Sequence, residues 1–342
     1  MADVIIKKRG KVGQITLNRP SALNALTYDM ITLIEKALIE WENDKTVTAV
    51  LVDGEGPRAF CAGGDISELY KQGQIKNYEF GQNFWADEYR LNARIASYPK
   101  PYIVFMQGFT MGGGVGISCH GSHRIVGETS RIAMPECGIG LVPDVGGSFL
   151  LRQKSVTLGT YLGTTCSQME ANDAIFAGFA DYFIPEEKWI EAKSQLIETG
   201  NPSFFKGLSI NLPESHLSKH SDIIEEVFSE TSHSSLVKKL AQHPQFSNAL
   251  ARLKKASPLS VLVTINMLRM PEISYSVKTA LEIEYRYTAR AQEHTDFQEG
   301  IRAMVVDKDK NPTWMHPSLD SVTQKESLRF LQPLNSKLEL RF

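Results

Sequence analysis

The stretch Gln107-Gly-Phe-Thr-Met-Gly-Gly-Gly-Val-Gly116 (QGFTMGGGVG) follows directly on the β-like apolar run Tyr102–Met106 (YIVFM). A second glycine-rich stretch, Ala59-Phe-Cys-Ala-Gly-Gly-Asp65 (AFCAGGD), comes shortly after the β-like run Thr48–Val52. Neither has the Gly-Lys-Ser/Thr of a P-loop or the GxGxxG spacing of a dinucleotide site, which argues against bound nucleotide phosphates. Glycines leave backbone N–H groups open to a ligand oxygen, and two converging N–H groups form an oxyanion hole. On composition alone, tight turns or close helix packing remain the alternative.

The first half of the chain alternates β-like runs with a helical pattern, which is typical of an α/β architecture. Two further β-like runs are Val12–Leu17 and Arg124–Val126. After the first of these, Thr27 can cap a helix whose apolar residues recur at spacings of three and four. Those apolar residues are Ile31, Ile34, Leu38 and Trp41.

The C-terminal third has a different composition. From about Ser194 the sequence is more polar, and beyond Pro258 it shows helical periodicity. One apolar stripe there consists of Leu262, Ile265 and Leu268. We therefore expect an α/β core over residues 1–200 and a helical C-terminal region over residues 201–342 that packs on the core.

Composition and charge exclude several classes of function. The net charge of -2 over 342 residues gives no electrostatic basis for binding nucleic acid or an anionic membrane. No apolar run approaches the length of a membrane span. Four cysteines without a CxxC pair do not form a disulfide framework, which suits a reducing compartment. We expect a cytoplasmic protein, or one of the mitochondrial matrix if the chain is eukaryotic and its presequence has been removed.

Three motifs in fixed order carry a family resemblance. AFCAGGD, then GFTMGGG, then Met134-Pro-Glu136 (MPE) resemble the crotonase (enoyl-CoA hydratase/isomerase) superfamily, and Ile15–Thr27 (ITLNRPSALNALT) resembles its opening strand and CoA-contacting turn. The resemblance implies a crotonase-like spiral of ββα repeats and an acyl-CoA thioester substrate, with no cofactor besides the coenzyme A of that substrate. It also assigns the N–H groups of the oxyanion hole to Gly64 and Gly113. By the same resemblance, the CoA-contacting residues are Ser21, Ala22, Leu23 and, for the phosphates, Arg58.

The carboxylates distinguish the reactions of this superfamily, because one fold supports many chemistries. Hydratases similar to this chain use two glutamates, of which the second is present as Glu136 and the first position holds Gly116. Gly116 also counts against dienoyl-CoA isomerases, which carry an aspartate there, whereas simple enoyl-CoA isomerases need one base and stay open. Asp144 follows Glu136 by eight residues, and Pro143 with two glycines between them argues against a straight helix. A turning loop can bring both side chains around one small volume.

Glu136, Asp144 and a small residue at 116 together resemble the hydrolase branch of the superfamily, the 3-hydroxyisobutyryl-CoA hydrolases of valine catabolism. Trp85–Asn92 (WADEYRLN) resembles the EEYRLN helix of that branch, and Asp296–Trp314 (DFQEGIRAMVVDKDKNPTW) resembles its C-terminal motif. The resemblance implies hydrolysis of a short β-hydroxyacyl-CoA, and it covers nearly the whole chain.

The resemblance also implies roles for three acids. Glu136 is the candidate acid/base residue, and it either deprotonates a water molecule or attacks the thioester to form a mixed anhydride. Asp144 would orient the water or the substrate hydroxyl. Glu88 would hydrogen-bond the acyl hydroxyl, the alternative being an exposed glutamate paired with Arg90 or Arg94.

Other functions remain as alternatives. One is an enoyl-CoA isomerase or hydratase with a rearranged acid pair, and another is a non-catalytic binding protein, against which both acids and the near-neutral charge argue. His120 and His123 lie near Cys119, but no second ligand pair stands at zinc-like spacing, so we expect no metal. Cys137, with no histidine near it in sequence, is interpreted as a small buried thiol. A homo-oligomer stays open.

Overall fold

The computed structural model of the protein describes residues 2–230 and 233–342. The strands in this part of the chain are β1 (Val4–Arg9), β2 (Val12–Leu17), β3 (Ala49–Gly54), β4 (Ala59–Cys61), β5 (Tyr102–Met106), β6 (Phe109–Met111), β7 (His123–Val126), β8 (Arg131–Ala133) and β9 (Tyr182–Phe183). The helices of its first half are α1 (Tyr28–Glu42), α2 (Ile66–Gln74), α3 (Tyr78–Ala96), α4 (Gly113–Ser118), α5 (Gly147–Leu151), α6 (Val156–Thr165) and α7 (Ala171–Ala177).

Apart from β9, the regular secondary structure in the second half of the described chain is helical. Its helices are α8 (Trp189–Thr199), α9 (Phe205–Leu208), α10 (His216–Lys219), α11 (Ser221–Phe228), α12 (His233–Leu240), α13 (Ser247–Lys255), α14 (Pro258–Arg269), α15 (Val277–His294), α16 (Phe297–Ile301) and α17 (Gln324–Arg329). None of the helices in the described ranges combines the length and the hydropathy that crossing a bilayer requires.

The chain divides into two compact units, each built from three segments. Unit 1 comprises Met1–Gly64, Arg90–Ala133 and Met169–Lys219, and unit 2 comprises Asp65–Tyr89, Met134–Gln168 and His220–Phe342. The domain boundary expected between residues 200 and 201 stays a prediction.

Unit 1 contains two sheets built from a repeated pattern. The larger has the order β1-β2-β3-β5-β7-β9, and the smaller has the order β4-β6-β8. Apart from the antiparallel pair β1 and β2, all the paired strands run parallel. The strands β3, β5 and β7 each precede one strand of the smaller sheet, so every repeat contributes one strand to each sheet. This is the α/β spiral that the family resemblance implies.

The larger sheet is covered by helices on both faces. Gly13 and Val12 of β2 point to opposite faces because side chains alternate along a strand. A Cβ on Gly13 would lie 2.3 Å from the ring of Trp41 on α1, so glycine permits this close packing. On the other face, Phe105 of β5 packs edge-on against Trp189 of α8, with ring centroids 5.2 Å apart. A parallel sheet buried on both faces explains the continuous apolar runs in the sequence.

Unit 2 is a helical layer around a buried helix. Every residue of α14 from Pro258 to Leu268 is buried, including the polar Ser260, Thr264 and Asn266. Tyr161 of α6 packs edge-on against Phe228 and Phe246, at centroid distances of 5.4 and 5.5 Å. The long helix α15 presents a buried face that includes polar residues, and these contribute to the candidate site.

Most local predictions are confirmed. The runs Val12–Leu17 and Tyr102–Met106 are strands with these bounds. The run predicted at Thr48–Val52 is the strand Ala49–Gly54. Thr27 caps α1, its side chain accepting a hydrogen bond from the Met30 N–H, and the four predicted apolar residues of α1 are buried.

Candidate active site

Four carboxyl groups are buried together in unit 2. The exposed fraction is 2% for Glu88, 4% for Glu136, 4% for Asp144 and 0% for Glu284. Burying an ionised carboxylate is costly unless hydrogen bonds or protonation compensate. A cluster of four such acids is therefore a feature that packing alone does not favour, and clusters with perturbed pKa values are typical of functional sites.

Glu136 begins a tight turn rather than a helix. It opens the 3₁₀ turn Glu136–Ile139, which ends at Gly140 with a left-handed φ of 76°. The N–H of Leu141 donates to the Glu136 carbonyl oxygen at 3.0 Å, and the Tyr287 hydroxyl donates to the Gly140 carbonyl oxygen at 3.0 Å. The chain between the two acids therefore turns, as predicted from its glycines and proline.

Asp144 stands beside a strained residue. Its neighbour Val145 is buried with a φ of 55°, a region that costs a β-branched residue on the order of 1–3 kcal/mol. Glu284 of α15 stabilises this turn by accepting hydrogen bonds from the N–H groups of Gly146, at 2.7 Å, and Ser148, at 2.9 Å. The Ser148 hydroxyl donates to the same carboxylate. These bonds hold the backbone that presents Asp144.

Asp144 also has a dedicated side-chain donor. The hydroxyl of Tyr89 donates to Asp144 Oδ2 at 2.8 Å. By contrast, Glu136 Oε2 and Glu88 Oε1 are buried without a hydrogen-bond partner in the described part of the chain. Unsatisfied buried oxygens in a cluster of acids are unusual in a folded protein.

Burial raises the pKa values of all four acids. It raises the pKa of Asp144 to about 7, against the hydrogen bond from Tyr89 and one from its own backbone N–H. Burial and the Asp144 charge hold the pKa values of Glu136 and Glu88 well above their ordinary range. Burial raises the pKa of Glu284 to about 8, although Ser148 and Gly146 donate to its carboxylate. The cluster can therefore hold both protonated and ionised carboxyls near neutral pH.

Glu88 does not behave as an exposed helix glutamate. It lies on α3 and is buried, so the alternative of an exposed ion pair with Arg90 or Arg94 is wrong. Arg94 pairs with two other acids of unit 1, Glu35 at 2.7 Å and Glu42 at 3.0 Å.

In unit 1 the two glycine-rich stretches end adjacent strands. Cys61 of β4 and Thr110 of β6 are register partners in a parallel pair. Gly64 and Gly113 each lie three residues beyond these partners. They therefore stand at the same end of the smaller sheet, the carboxyl end where ligands commonly bind to parallel sheets.

The backbone N–H groups of these glycines have defined surroundings. Gly113 is the first residue of α4, where helix geometry leaves the N–H without an intrahelical acceptor. Gly64 forms a bridge with Leu26 in which the Leu26 N–H donates to the Gly63 carbonyl oxygen at 2.9 Å. A Cβ on Gly114 would lie 2.3 Å from the Cys61 carbonyl oxygen, so α4 begins in close contact with the end of β4.

The turn predicted to contact CoA is attached to the same loop of unit 1. Pro20–Ala22 forms a 3₁₀ turn that ends at Leu23 with a left-handed φ of 52°, so this turn contains the predicted Ser21 and Ala22. The Ala62 N–H donates to the Leu23 carbonyl oxygen at 3.0 Å. Asn24 is fully buried, and its amide donates to the carbonyl oxygens of Glu55 and Ala59, each at 3.0 Å. These bonds fix the turn next to Gly64.

Arg58 lies on the loop that precedes β4, and its side chain is exposed. A Cβ on Gly56, two residues earlier, would lie 3.0 Å from the Pro20 side chain. The loop of Arg58 therefore packs beside the turn Pro20–Ala22.

The histidine and cysteine residues have structural surroundings. The His123 ring stacks on Tyr182 at a centroid distance of 6.0 Å, and burial lowers its pKa. Within residues 2–230 and 233–342, no group of three or more potential ligands is placed to hold a metal ion. Cys137 is fully buried beside the Thr264 hydroxyl, 3.3 Å away, as predicted for a small buried thiol.

The structure thus groups the predicted residues by unit. Glu88, Glu136 and Asp144 lie in one buried cluster of unit 2. Gly64 and Gly113 lie at the ends of adjacent strands of unit 1, with the turn containing Leu23 beside them.

Sequence reasoning missed Tyr89 and Glu284. One signal could have found Glu284, because Glu284, Thr288 and Gln292 recur every four residues and so share one face of α15. All three are buried. Tyr89 is next to Glu88 in the sequence, but its own pattern does not distinguish it from a core tyrosine.

Known proteins share this sequence and fold. The family model described as enoyl-CoA hydratase/isomerase matches residues 12–331. The mitochondrial 3-hydroxyisobutyryl-CoA hydrolase of Rattus norvegicus is 37% identical over 358 residues, covering 100% of this chain and 91% of that protein. The protein of the same name from Dictyostelium discoideum is 34% identical, covering 99% of this chain and 94% of that protein.

Two solved structures match with a TM-score of 0.94 each. One is described as an enoyl-CoA hydratase from Rhodobacter sphaeroides 2.4.1, with 46% identity and full coverage of both chains. The other is described as a carnitinyl-CoA dehydratase from Mycobacterium thermoresistibile, with 37% identity, covering 100% of this chain and 99% of that chain. These matches confirm the crotonase-like α/β fold.

Proposed function

This chain belongs to the enoyl-CoA hydratase/isomerase family, and from that premise we propose that it hydrolyses the thioester of a short β-hydroxyacyl-CoA. The first candidate substrate is 3-hydroxyisobutyryl-CoA, an intermediate of valine catabolism. Curated relatives that match 99–100% of this chain are named as hydrolases of this compound. The observation that carries the proposal is the buried cluster of Glu136, Asp144 and Glu88, in which two carboxyl oxygens have no hydrogen-bond partner among the residues that the structure describes.

Hydration of an enoyl-CoA is the competing reaction, because a solved structure of similar fold is described as an enoyl-CoA hydratase. Position 116 opposes it. Gly116 is buried inside α4 and supplies no carboxylate where the related hydratases place their first glutamate. The acid pair of this chain is instead Glu136 with Asp144.

The proposed reaction begins with a polarised carbonyl. The N–H groups of Gly64 and Gly113 would hold the thioester oxygen as it gains negative charge. One such donor typically contributes about 3–4 kcal/mol to a transition state. Gly64 and Gly113 follow the adjacent parallel strands β4 and β6, and this position supports the role.

The acid pair would move the protons. One carboxylate accepts a proton from the attacking water, and the other carboxyl gives its proton to the departing CoA sulfur. The new C–O bond replaces the C–S bond, so the products are a carboxylic acid and free CoA thiol. Two buried acids whose surroundings differ are suited to opposite roles in one step.

Other predicted residues would bind the acyl and CoA parts of the substrate. In unit 2, Glu88 Oε1 would accept a hydrogen bond from the β-hydroxyl of the acyl group. In unit 1, the turn of Ser21, Ala22 and Leu23 would contact the CoA moiety, and the exposed Arg58 guanidinium would meet its phosphates. Coenzyme A enters as part of the substrate, and the proposal requires no further cofactor.

The cellular location follows the source of the chain. We propose the mitochondrial matrix for a eukaryotic source, since the curated relatives carry that compartment in their names, and the cytoplasm otherwise. A homo-oligomer stays a prediction, which light scattering of the purified protein would test.

A panel of acyl-CoA substrates tests the reaction. We expect rapid release of CoA thiol from 3-hydroxyisobutyryl-CoA and 3-hydroxypropionyl-CoA, and about 100-fold slower release from isobutyryl-CoA, which lacks the hydroxyl. A chromogenic thiol reagent measures this release, and loss of the conjugated enoyl absorbance measures water addition to crotonyl-CoA. Water addition faster than any thiol release would replace the proposed hydrolase with a hydratase.

A further inference from the structure

The C-terminal motif found in the sequence has no part in the proposed reaction, yet its helix α16 packs against the turn that Glu136 opens. A Cβ on Gly300 of α16 would lie 2.1 Å from the Ile139 carbonyl oxygen. A Cβ on Gly140, which ends the turn, would lie 2.4 Å from the carbonyl carbon of Asp296. A glycine on each side therefore lets the two backbones touch at two points.

A buried pair of side chains connects α16 to the same turn. The Ser257 N–H donates to the Cys137 carbonyl oxygen at 2.9 Å, and the Ser257 hydroxyl donates to Asp296 Oδ2 at 2.6 Å. Ser257 and Asp296 are both buried. The second carboxylate oxygen, Oδ1, accepts a hydrogen bond from the Met315 N–H at 2.7 Å. Asp296 thus joins the turn, the start of α14 and the segment that follows α16.

The Glu136 carboxyl takes its position from the backbone of this turn. Within residues 2–230 and 233–342, its Oε2 has no hydrogen-bond partner. The carboxyl accepts a hydrogen bond from its own backbone N–H, a donor that moves with the turn. Asp144 differs, because the Tyr89 hydroxyl holds its Oδ2 at 2.8 Å. A shift of the turn is therefore passed on to the Glu136 carboxyl.

Building on the proposed hydrolysis, we infer that Asp296 and Gly300 are positioning residues, which set the place of the Glu136 carboxyl through the backbone of its turn. Gly300 allows the close approach of α16, and Asp296 fixes the turn through Ser257. Neither residue needs to touch the substrate. Their effect is on rate, because a misplacement of about 1 Å in a reacting group can lower the rate about 10²-fold.

Gly300→Ala tests the backbone contact. Real Cβ atoms do not approach other atoms within 3.0 Å, so a methyl group 2.1 Å from the Ile139 carbonyl oxygen must push the turn away. The turn then carries Glu136 with it. For a displacement of about 1 Å, we expect kcat for release of CoA thiol from 3-hydroxyisobutyryl-CoA to fall about 10²-fold. Wild-type kcat in this variant would contradict the inference.

A double-mutant cycle separates positioning from a general loss of structure. If Gly300 acts through the Glu136 carboxyl, its substitution has little left to disturb once that carboxyl is gone. Adding Gly300→Ala to Glu136→Gln should therefore lower kcat by less than about two-fold further. A variant that only loosens the fold would lower kcat by the same factor in both backgrounds, and that outcome would refute the positioning role.

Asp296→Asn and Asp296→Ala test the side-chain link. Asparagine keeps an oxygen for the Met315 N–H, and its amide can donate to the Ser257 hydroxyl, since a hydroxyl also accepts. Alanine leaves both partners without their acceptor. We expect kcat of Asp296→Asn within about three-fold of wild type and a loss of at least about ten-fold in Asp296→Ala. Equal activity of the two variants would show that this link does not position Glu136.

Asp309→Asn is the matched control in the same motif. Asp309 pairs with Arg302 at 2.7 Å, and its side chain is 44% exposed. The variant removes a carboxylate from the surface of the motif and should keep the wild-type kcat. A loss as large as that of Gly300→Ala would mean that any change in the motif lowers activity, and the specific role of Gly300 would fall.

Crystal structures test the geometry without turnover. We expect the Glu136 carboxyl to be displaced by about 1 Å in Gly300→Ala and to stay in place in Asp309→Asn. A carboxyl at its wild-type position in Gly300→Ala would overturn the inference. A wild-type protein that cleaves no acyl-CoA, together with this displacement, would refute the proposed function while leaving the link between α16 and Glu136 standing.

Discussion

Unit 1 and unit 2 carry different kinds of functional group. In unit 1 the candidate groups are mainly backbone N–H donors at Gly64 and Gly113, fixed by the register of β4 and β6. In unit 2 they are buried carboxyls, fixed by hydrogen bonds among segments far apart in sequence. A backbone amide keeps its polarity at every working pH, whereas a buried acid changes charge. The comparison therefore separates a pH-independent part of the proposed chemistry from a pH-dependent one.

The largest expected effect comes from removing an acid of unit 2. Glu136→Gln should lower kcat for 3-hydroxyisobutyryl-CoA by about 10³-fold, because the amide can neither give nor take the proton. Release of CoA thiol measures the loss, and circular dichroism confirms the fold. Glu293→Gln, an exposed glutamate on α15, is the matched control and should retain full activity. Near-normal turnover by Glu136→Gln would show that the Glu136 carboxyl of unit 2 takes no part in the reaction.

A smaller loss should follow from moving the donors of unit 1. In Gly114→Ala the new methyl group would lie 2.3 Å from the Cys61 carbonyl oxygen, so α4 must shift away from β4. A displacement of about 1 Å at the Gly113 N–H should lower kcat by about 10²-fold. The loss should be equal at every pH, because no titrating group changes, and a pH profile checks this.

Gly207→Ala is the control for the same unit. A Cβ at Gly207 would meet no atom within 4 Å among the described residues beyond its chain neighbours and its own helix, so activity should be unchanged. If both alanine variants behave alike, the contact between α4 and β4 does not position the donors.

The smallest expected effect is a pH-dependent change in Tm caused by Asp144→Asn. It tests whether the acids of unit 2, unlike the backbone donors of unit 1, respond to pH. The pKa of Asp144 is about 7 in the folded protein and close to 3.8 when unfolded. A raised folded value means that the wild type loses stability as pH increases from about 4 to about 7. Asp144→Asn removes this cost and should raise Tm by about 5 °C at pH 8, with less gain at pH 5. Thermal melts at both pH values measure the difference, and a lower Tm at pH 8 would contradict it.

Local sequence patterns predicted the framework of unit 1 well. The strand Val12–Leu17 and the cap at Thr27 follow from periodicity and hydrogen bonding within a few residues. The strands β4, β6 and β8 have only three residues each, too few for an alternating pattern to appear, and none of the three was predicted as a strand. Helices were predicted beyond Pro258 from the periodicity of apolar residues, and α14 to α17 confirm them.

The candidate site was predictable in part. Glu136 and Asp144 were found from motif and spacing, and the turn between them from its glycines and proline. Tyr89 and Glu284 were not, because their partners lie 55 and 138 residues away in the sequence. No local pattern encodes which buried hydroxyl meets which carboxylate. That information resides in how the part of α3 up to Tyr89 packs with α15 within unit 2.

The hydrogen bonds of Glu284 have a consequence for biosynthesis. The Gly146 N–H and its acceptor are 138 residues apart, so the turn that presents Asp144 cannot be completed until α15 has left the ribosome. Until then the Glu284 carboxylate is not in place to accept hydrogen bonds from Gly146 and Ser148, which follow the strained Val145. A prematurely terminated chain can contain every residue from Glu88 to Asp144 and still lack an assembled acid cluster.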